Sequence, residues 1–218
     1  MSEHPILFSA PMVRALLDGR KTQTRRIVNP QPDHDAIIAV GEIGTSRGAA
    51  YVRYPDSGGL TTRLPFPYGQ PGDRLWVREN CRAEELESGL VGVRYQADGA
   101  FREIENTQEA AESWFDLRHY GRGTKVGLLY GRIVPSIHMP RWASRITLEI
   151  TGIRVERLLM ISEDDCAAEG IARPEWNRND TVLAYSIPYR NLWESIHGLG
   201  SWHINPWVWV VEFQRCKP

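Results

Sequence analysis

At 218 residues, 42% hydrophobic and 24% charged, the chain has enough apolar content to bury a core as one large domain or two small ones. No apolar run approaches the roughly 18 residues of a membrane span, and Met1-Ser2-Glu3-His4-Pro5 lacks the basic start of a signal peptide, so a cytoplasmic protein without a membrane partner is expected. A net charge of −1 argues against a broad duplex binder but leaves room for a local basic pocket.

Ser9-Ala10-Pro11, followed by Met12, Val13, Leu16 and Leu17, predicts a helix with Ser9 as N-cap, Pro11 in the first turn and Gly19 just past the end. Residues 22–28 read as extended, with Thr22, Thr24 and Arg26 on one face. Residues 29–73 are rich in Pro, Gly and Asp, with short strand-like pieces at Ala36–Val40 and Ala50–Tyr54. Pro71-Gly72-Asp73 is a turn signal opening a strand over Arg74–Glu79. Residues 80–135 look like an insertion holding a strand (Val91–Gln96), a helix (Thr107–His119) and Gly-rich connections. Arg145–Arg157 reads as a long strand or a hairpin.

Ser162-Glu163-Asp164-Asp165 matches a capping box that starts a short helix, and Gly170 closes it. Pro188–His197 predicts a further helix. In Trp207–Phe213, Trp207, Trp209, Val211 and Phe213 alternate onto one face of a strand. The pattern is α+β with a mainly antiparallel sheet, open or closed.

Gly19-Arg20-Lys21-Thr22-Gln23-Thr24-Arg25-Arg26 packs an amine, two hydroxyls and three guanidinium groups into eight residues. The chain has 23 arginines and three lysines (Lys21, Lys125, Lys217), so a position that needs only positive charge would usually carry Arg. Lysine differs because, partly buried, it can lose its proton and act as a base. Thr24 is a poor nucleophile unless such a base takes its proton. Glu169 falls in the last turn of its predicted helix, where exposed carbonyls disfavour a carboxylate and suit a proton donor. Taken singly, each has a plainer explanation: a solvated turn for the basic run, a surface glutamate for residue 169.

Walker, dinucleotide, Gly-x-Ser-x-Gly and His-Glu-x-x-His signatures are missing. Six histidines and three scattered cysteines show neither metal-ligand spacing nor a disulfide framework, so no metal or other cofactor is expected.

The run from Gly19 to Arg26 resembles the signature of ASCH domains, relatives of the PUA fold, in which Gly-x-Lys-x-x-Glu-x-Arg recurs. Gly19, Lys21 and Arg26 match, while Thr24 stands where many members have Glu. That variant is similar to small bacterial ASCH amidohydrolases, which deacylate N(4)-acetylcytidine with a lysine, a threonine and a glutamate. The resemblance implies a PUA-like β-barrel with flanking helices and a long mid-chain insertion, as one domain over 1–218. It also implies catalytic roles for Lys21, Thr24 and Glu169. Pro71-Gly72-Asp73-Arg74-Leu75-Trp76-Val77-Arg78-Glu79 and Asn205-Pro206-Trp207 further resemble larger ASCH proteins of bacteriophage and prophage genomes.

Other groups are candidates for a binding pocket. Arg141-Trp142-Ala143-Ser144-Arg145 sets an indole between guanidinium groups, suited to stacking a base and meeting a phosphate or sugar. Trp202 and Asn205 add aromatic surface and an amide, Arg20 and Arg26 add charge, and Glu79 is a second candidate carboxylate. For each of these, core packing and loop contacts are the plain alternative.

Three readings follow. The first is a hydrolase of an amide on a nucleobase, such as an N(4)-acylcytidine. The second is a non-catalytic module for RNA or modified nucleotides, and the third an interaction protein with a vestigial pocket. The expected partner is a nucleoside, modified nucleotide or single-stranded RNA; the sequence sets no oligomeric state.

Overall fold

Alternating apolar residues near the start, middle and end of the chain pair into one sheet. The computed structural model describes residues 1–32, 37–40, 50–53, 61–64, 66–121, 130–172 and 185–216. The N-terminal part runs through β1 (Glu3–Leu7), α1 (Ala10–Leu17), β2 (Gln23–Ile27), β3 (Ile37–Val40), β4 (Ala50–Arg53) and β5 (Thr61–Leu64). β6 (Arg74–Arg78), β7 (Cys81–Glu85), β8 (Val91–Tyr95), β9 (Phe101–Glu103) and α2 (Gln108–Arg118) follow. β10 (Thr147–Arg157), α3 (Glu163–Ala168), α4 (Ser186–His197) and β11 (Trp207–Arg215) complete the chain. Three sheets result, with orders β1-β6-β10-β11-β2, β3-β4-β5 and β7-β8-β9. The protein is α+β.

The chain divides into two units. Met1–His4, Ala15–Arg74 and Leu148–Pro218 form the first, and Pro5–Arg14 with Leu75–Thr147 the second.

In the first unit β11 lies between β10 and β2, antiparallel to both. Trp209, Val211 and Phe213 are buried on the face that alternation assigns them, and Val208 and Val210 are buried as fully on the other, because both faces of this central strand are covered. β10 is one strand, not a hairpin; a register irregularity between Ile150 and Gly152 lets it run 11 residues. Gly152 has no side chain at the point where a Cβ would stand 2.7 Å from Glu212 Oε2. Leu158, Cys166, Tyr189, Trp193, Val208 and Val210 pack into one core, to which α4 brings its two largest rings. Truncating a ring such as Trp193 would cost about 3–5 kcal/mol.

α3 starts where its sequence predicted. The Ser162 side chain accepts from the Asp165 amide, and the Asp165 side chain accepts from the Ser162 amide. The helix closes through Glu169, still helical at φ −66°, and Gly170 at φ +90°. β3 and β4 confirm the two expected pieces, whose outer residues Ala36 and Tyr54 lie outside the described residues, as do Lys125 and Lys217.

In the second unit β8 and α2 occupy the segments predicted for a strand and a helix, with Thr107 as N-cap accepting from the Ala110 amide at 3.1 Å. Cys81, Val93, Tyr95, Leu117, Val134 and Met139 form its core. β7 buries Cys81 and Ala83 on one face and leaves Arg82 and Glu84 on the other, as a half-buried strand does.

Candidate functional site

β2 ends the order of its sheet, so among the described residues no strand lies along one of its edges. An uncovered edge exposes unpaired amides and carbonyls. Here the chain leaving α3 covers it. Lys21 and Glu169 form an antiparallel bridge, and the Thr22 amide donates to the Ala168 carbonyl at 2.8 Å. Further along, the Arg25 amide finds no strand and donates instead to Glu169 Oε1 at 2.5 Å.

This arrangement brings together two residues 148 apart in sequence. Lys21 Nζ donates to Glu169 Oε2 at 2.6 Å and to the main-chain carbonyls of Gln23 and Glu169, each at 2.8 Å. Both residues are only 3% exposed. Burial pushes the Lys21 ammonium below its ordinary value; the Glu169 carboxylate opposes that shift, while the Arg26 and Arg25 charges add to it. The Tyr189 hydroxyl donates to Glu169 Oε1 at 3.4 Å, and burial holds that phenol far above its usual range, so it stays a neutral donor.

Strand alternation sets the remaining groups. Gln23 and Arg25 share one face of β2, and Thr24 and Arg26 the other, paired with Val211 and Trp209 of β11. Thr24 is buried at 2% exposure. Its hydroxyl is not among the three acceptors of Lys21 Nζ described above.

Behind the pair lies an ionic cluster. Arg25 donates to Gln23 Oε1 and to Glu156 at 2.5 Å, and sits 3.2 Å from Asp165. Gln23 donates to Asp165 at 2.9 Å, and Arg154 links Asp165, Glu156 and Glu212. Burial alone would raise the Asp165 carboxyl; hydrogen bonds from Gln23 and Ser162 and the Arg25 charge outweigh it and hold it well below the usual carboxylate range.

The other candidates divide between the units. In the first, Arg20 is exposed and donates to the Gly170 carbonyl at 2.7 Å and to Asp18 at 2.9 Å. Arg26 is half-buried on β2. Trp202 packs edge-on against Tyr189, with ring centroids 6.0 Å apart. Asn205 is a turn residue at φ +50° whose side chain accepts from the Leu159 amide at 2.8 Å.

In the second unit Glu79, Asp98 and Arg145 form a cluster of their own. Arg145 grips both oxygens of buried Glu79 at 2.8 and 3.0 Å, reaches Asp98 at 2.8 Å and lies 3.9 Å over the Tyr95 ring. The Ser144 hydroxyl donates to the Val77 carbonyl at 2.9 Å. The Trp142 indole N–H donates to Ser113 at 3.0 Å. Arg141 and Trp142 line a pocket of about 520 Å³ with Glu105, Thr107, Glu109 and Ser113. Its walls carry more carboxylates than guanidinium groups, which disfavours the phosphate contact expected of Arg141.

No family model, curated protein or solved structure matches the chain. The site therefore rests on its own residues. The sequence reading missed Tyr189, Gln23, Arg25, Glu156 and Asp165. One signal was present: Gln23/Arg25 and Arg154/Glu156 sit at i, i+2 on strands, which places each pair on a single face.

Proposed function

We propose that the protein is an ASCH-type amide hydrolase acting on an acyl group carried by an exocyclic nucleobase nitrogen, with an N(4)-acylcytidine as the substrate class. The PUA-like barrel belongs to the same proposal. Neutral Lys21 takes the Thr24 hydroxyl proton as Thr24 Oγ bonds to the acyl carbon. The carbon–nitrogen bond then breaks, the departing nitrogen receives a proton by way of Glu169 and Lys21, and water hydrolyses the threonine ester. Arg26 or a main-chain amide stabilises the oxyanion.

The observation that carries this reading is the sealed 2.6 Å contact between Lys21 Nζ and Glu169 Oε2. Burial favours the uncharged amine, and the carboxylate beside it is a ready proton relay. Turnover requires Nζ to exchange one of its acceptors for the Thr24 hydroxyl.

The test is release of cytidine and acetate from N(4)-acetylcytidine by the purified protein over about pH 6 to 9. Thr24→Ala and Lys21→Arg should each abolish release. Intact substrate at high enzyme concentration, with the wild-type protein folded, removes the hydrolase reading.

A second reading, a module that binds RNA or a modified nucleotide without breaking a bond, is favoured by one observation. Lys21 Nζ already donates to three protein acceptors, as many as a lysine ammonium has protons, so the pair is held without a substrate. Under that reading Thr24→Ala leaves affinity unchanged, Arg26→Ala weakens a salt-sensitive RNA affinity, and no product forms.

A further inference from the structure

Asp165 lies in α3 one turn before Glu169 and takes part in both the helix cap and the ionic cluster. Its carboxylate accepts from the Ser162 amide and hydroxyl, from Gln23 at 2.9 Å and from Arg154 at 2.8 Å, and lies 3.2 Å from Arg25. Gln23 and Arg25 in turn each touch the Lys21–Glu169 pair through the main chain: the Gln23 carbonyl accepts from Lys21 Nζ, and the Arg25 amide donates to Glu169. Asp165 and Glu169, one helical turn apart, are thus both tied to β2.

We propose that Asp165 is a positioning residue for the Lys21–Glu169 pair: it anchors α3 to Gln23 and neutralises the Arg25 guanidinium behind the pair. A helix cap alone would need only the Ser162 contacts. The bonds to Gln23 and Arg154 and the approach to Arg25 go beyond capping, and they reach the strand that carries Lys21.

The consequence is electrostatic. The charged and titratable groups around the pair are Arg25 and Arg26 on β2, Cys166 and Asp165 on α3, Tyr189 on α4, Arg154 and Glu156 on β10 and Glu212 on β11. Arg25 and Arg26 push the Lys21 amine toward its neutral form. Asp165 and Glu156 offset Arg25 and so restrain that push. This inference concerns how the amine of the proposed hydrolase is set, yet it needs no turnover to be tested.

The test uses carbon-13 labelling of lysine side chains in the full-length protein. Only three lysines are present, so the Lys21 signal can be assigned with the single Lys21→Arg variant. Asp165→Asn and Glu156→Gln should each lower the Lys21 titration midpoint by roughly 0.5–1 pH. Ser162→Ala removes the cap but keeps the charge, so it should lower the melting temperature and leave that midpoint in place.

Three results would overturn the proposal. One is equal midpoints in all the folded variants; another is a Ser162→Ala shift as large as that of Asp165→Asn. The third is a Lys21 that stays protonated up to alkaline unfolding in every variant. Glu156→Gln leaves the α3 cap intact and supplies the answer if Asp165→Asn fails to fold. A shifted midpoint without cytidine release would keep the positioning role and discard the hydrolase; release with an unmoved midpoint would do the reverse.

Discussion

Glu169 faces the amine of Lys21 in one unit, and Glu79 faces the guanidinium of Arg145 in the other. Both carboxylates are almost fully buried; Lys21 donates to one oxygen of Glu169, and Arg145 to both oxygens of Glu79. Burial works against the Arg145 charge, but its hydrogen bonds to Glu79 and Asp98 outweigh it and raise that guanidinium further. It can never supply a base. Burial raises the Glu79 carboxyl too, with Arg145 pulling the other way. At Lys21 burial prevails and moves the amine toward neutrality. The two pairs look alike as contacts, but burial moves the Lys21 amine toward its neutral form, whereas the Arg145 guanidinium is held charged. The partner's chemistry, not the carboxylate's burial, decides which pair can be a site.

The largest expected effect comes from breaking the amine pair. Glu169→Ala leaves a buried ammonium without its counter-charge and takes Glu169 Oε1 away from the Arg25 amide, which should cost about 3–5 kcal/mol in urea unfolding. Lys21→Met with Glu169→Leu removes both charges, and should recover a large part of that loss, leaving mainly the orphaned Arg25 amide. Glu79→Gln should cost less, about 1–3 kcal/mol, because Arg145 keeps Asp98 and partial access to water. Equal losses from Glu169→Ala and Glu79→Gln would erase the proposed difference between the units.

Gly170→Ala strains the same edge without touching a charge. A Cβ there would lie 2.7 Å from Ala15 Cβ and 3.0 Å from Lys21 Cβ, at a φ of +90° that L residues avoid. The expected cost is about 1–3 kcal/mol. A cost near zero would mean that the chain leaving α3 is not clamped against Lys21.

Much of this was legible in the sequence where local and tertiary signals agree. The capping box at Ser162, the glycine stops at Gly19 and Gly170 and the helix over Pro188–His197 depend on short-range chemistry. The meeting of Lys21 with Glu169 followed from the motif resemblance; no periodicity contained it. The ionic cluster escaped notice because Arg25, Arg154 and Glu156 on strands look like a solvated face. They pair with one another because α3 packs on β2 and brings Asp165 to the two arginines, which Glu156 also meets. β9 escaped because Phe101-Arg102-Glu103 is too short to show a period, and Val208 and Val210 because a central strand hides both its faces.

Stability against pH should show opposite slopes for the two pairs. The folded Lys21 amine binds fewer protons than the unfolded one between its lowered value and the ordinary 10.5, so stability rises with pH across that window. Folded Glu79 binds more protons than the unfolded carboxyl between the ordinary 4.5 and its raised value, so stability falls as pH rises through that window. Urea midpoints of wild type, Glu79→Gln and the Lys21→Met/Glu169→Leu double variant separate the two. Glu79→Gln should flatten the acid-side fall alone, and the double variant the rise toward alkaline pH alone.

The smallest effect uses two native thiols as reporters, one in each unit. Burial, with the Glu79 charge added, pushes the Cys81 thiol up to about 12, and burial, with the Glu163 charge added, pushes Cys166 up to about 12. Both are fully enclosed, whereas Cys216 is half-buried. A thiol reagent at about pH 8 should therefore label Cys216 quickly and the other two only when their surroundings open. Glu169→Ala should speed Cys166 labelling about tenfold or more while leaving Cys81 within about twofold, and Glu79→Gln should do the reverse. Mass spectrometry of the labelled peptides reads both rates in one sample. If either substitution accelerates both thiols equally, the units open together, and the contrast between an exchangeable and a permanent ion pair has no separate mechanical counterpart.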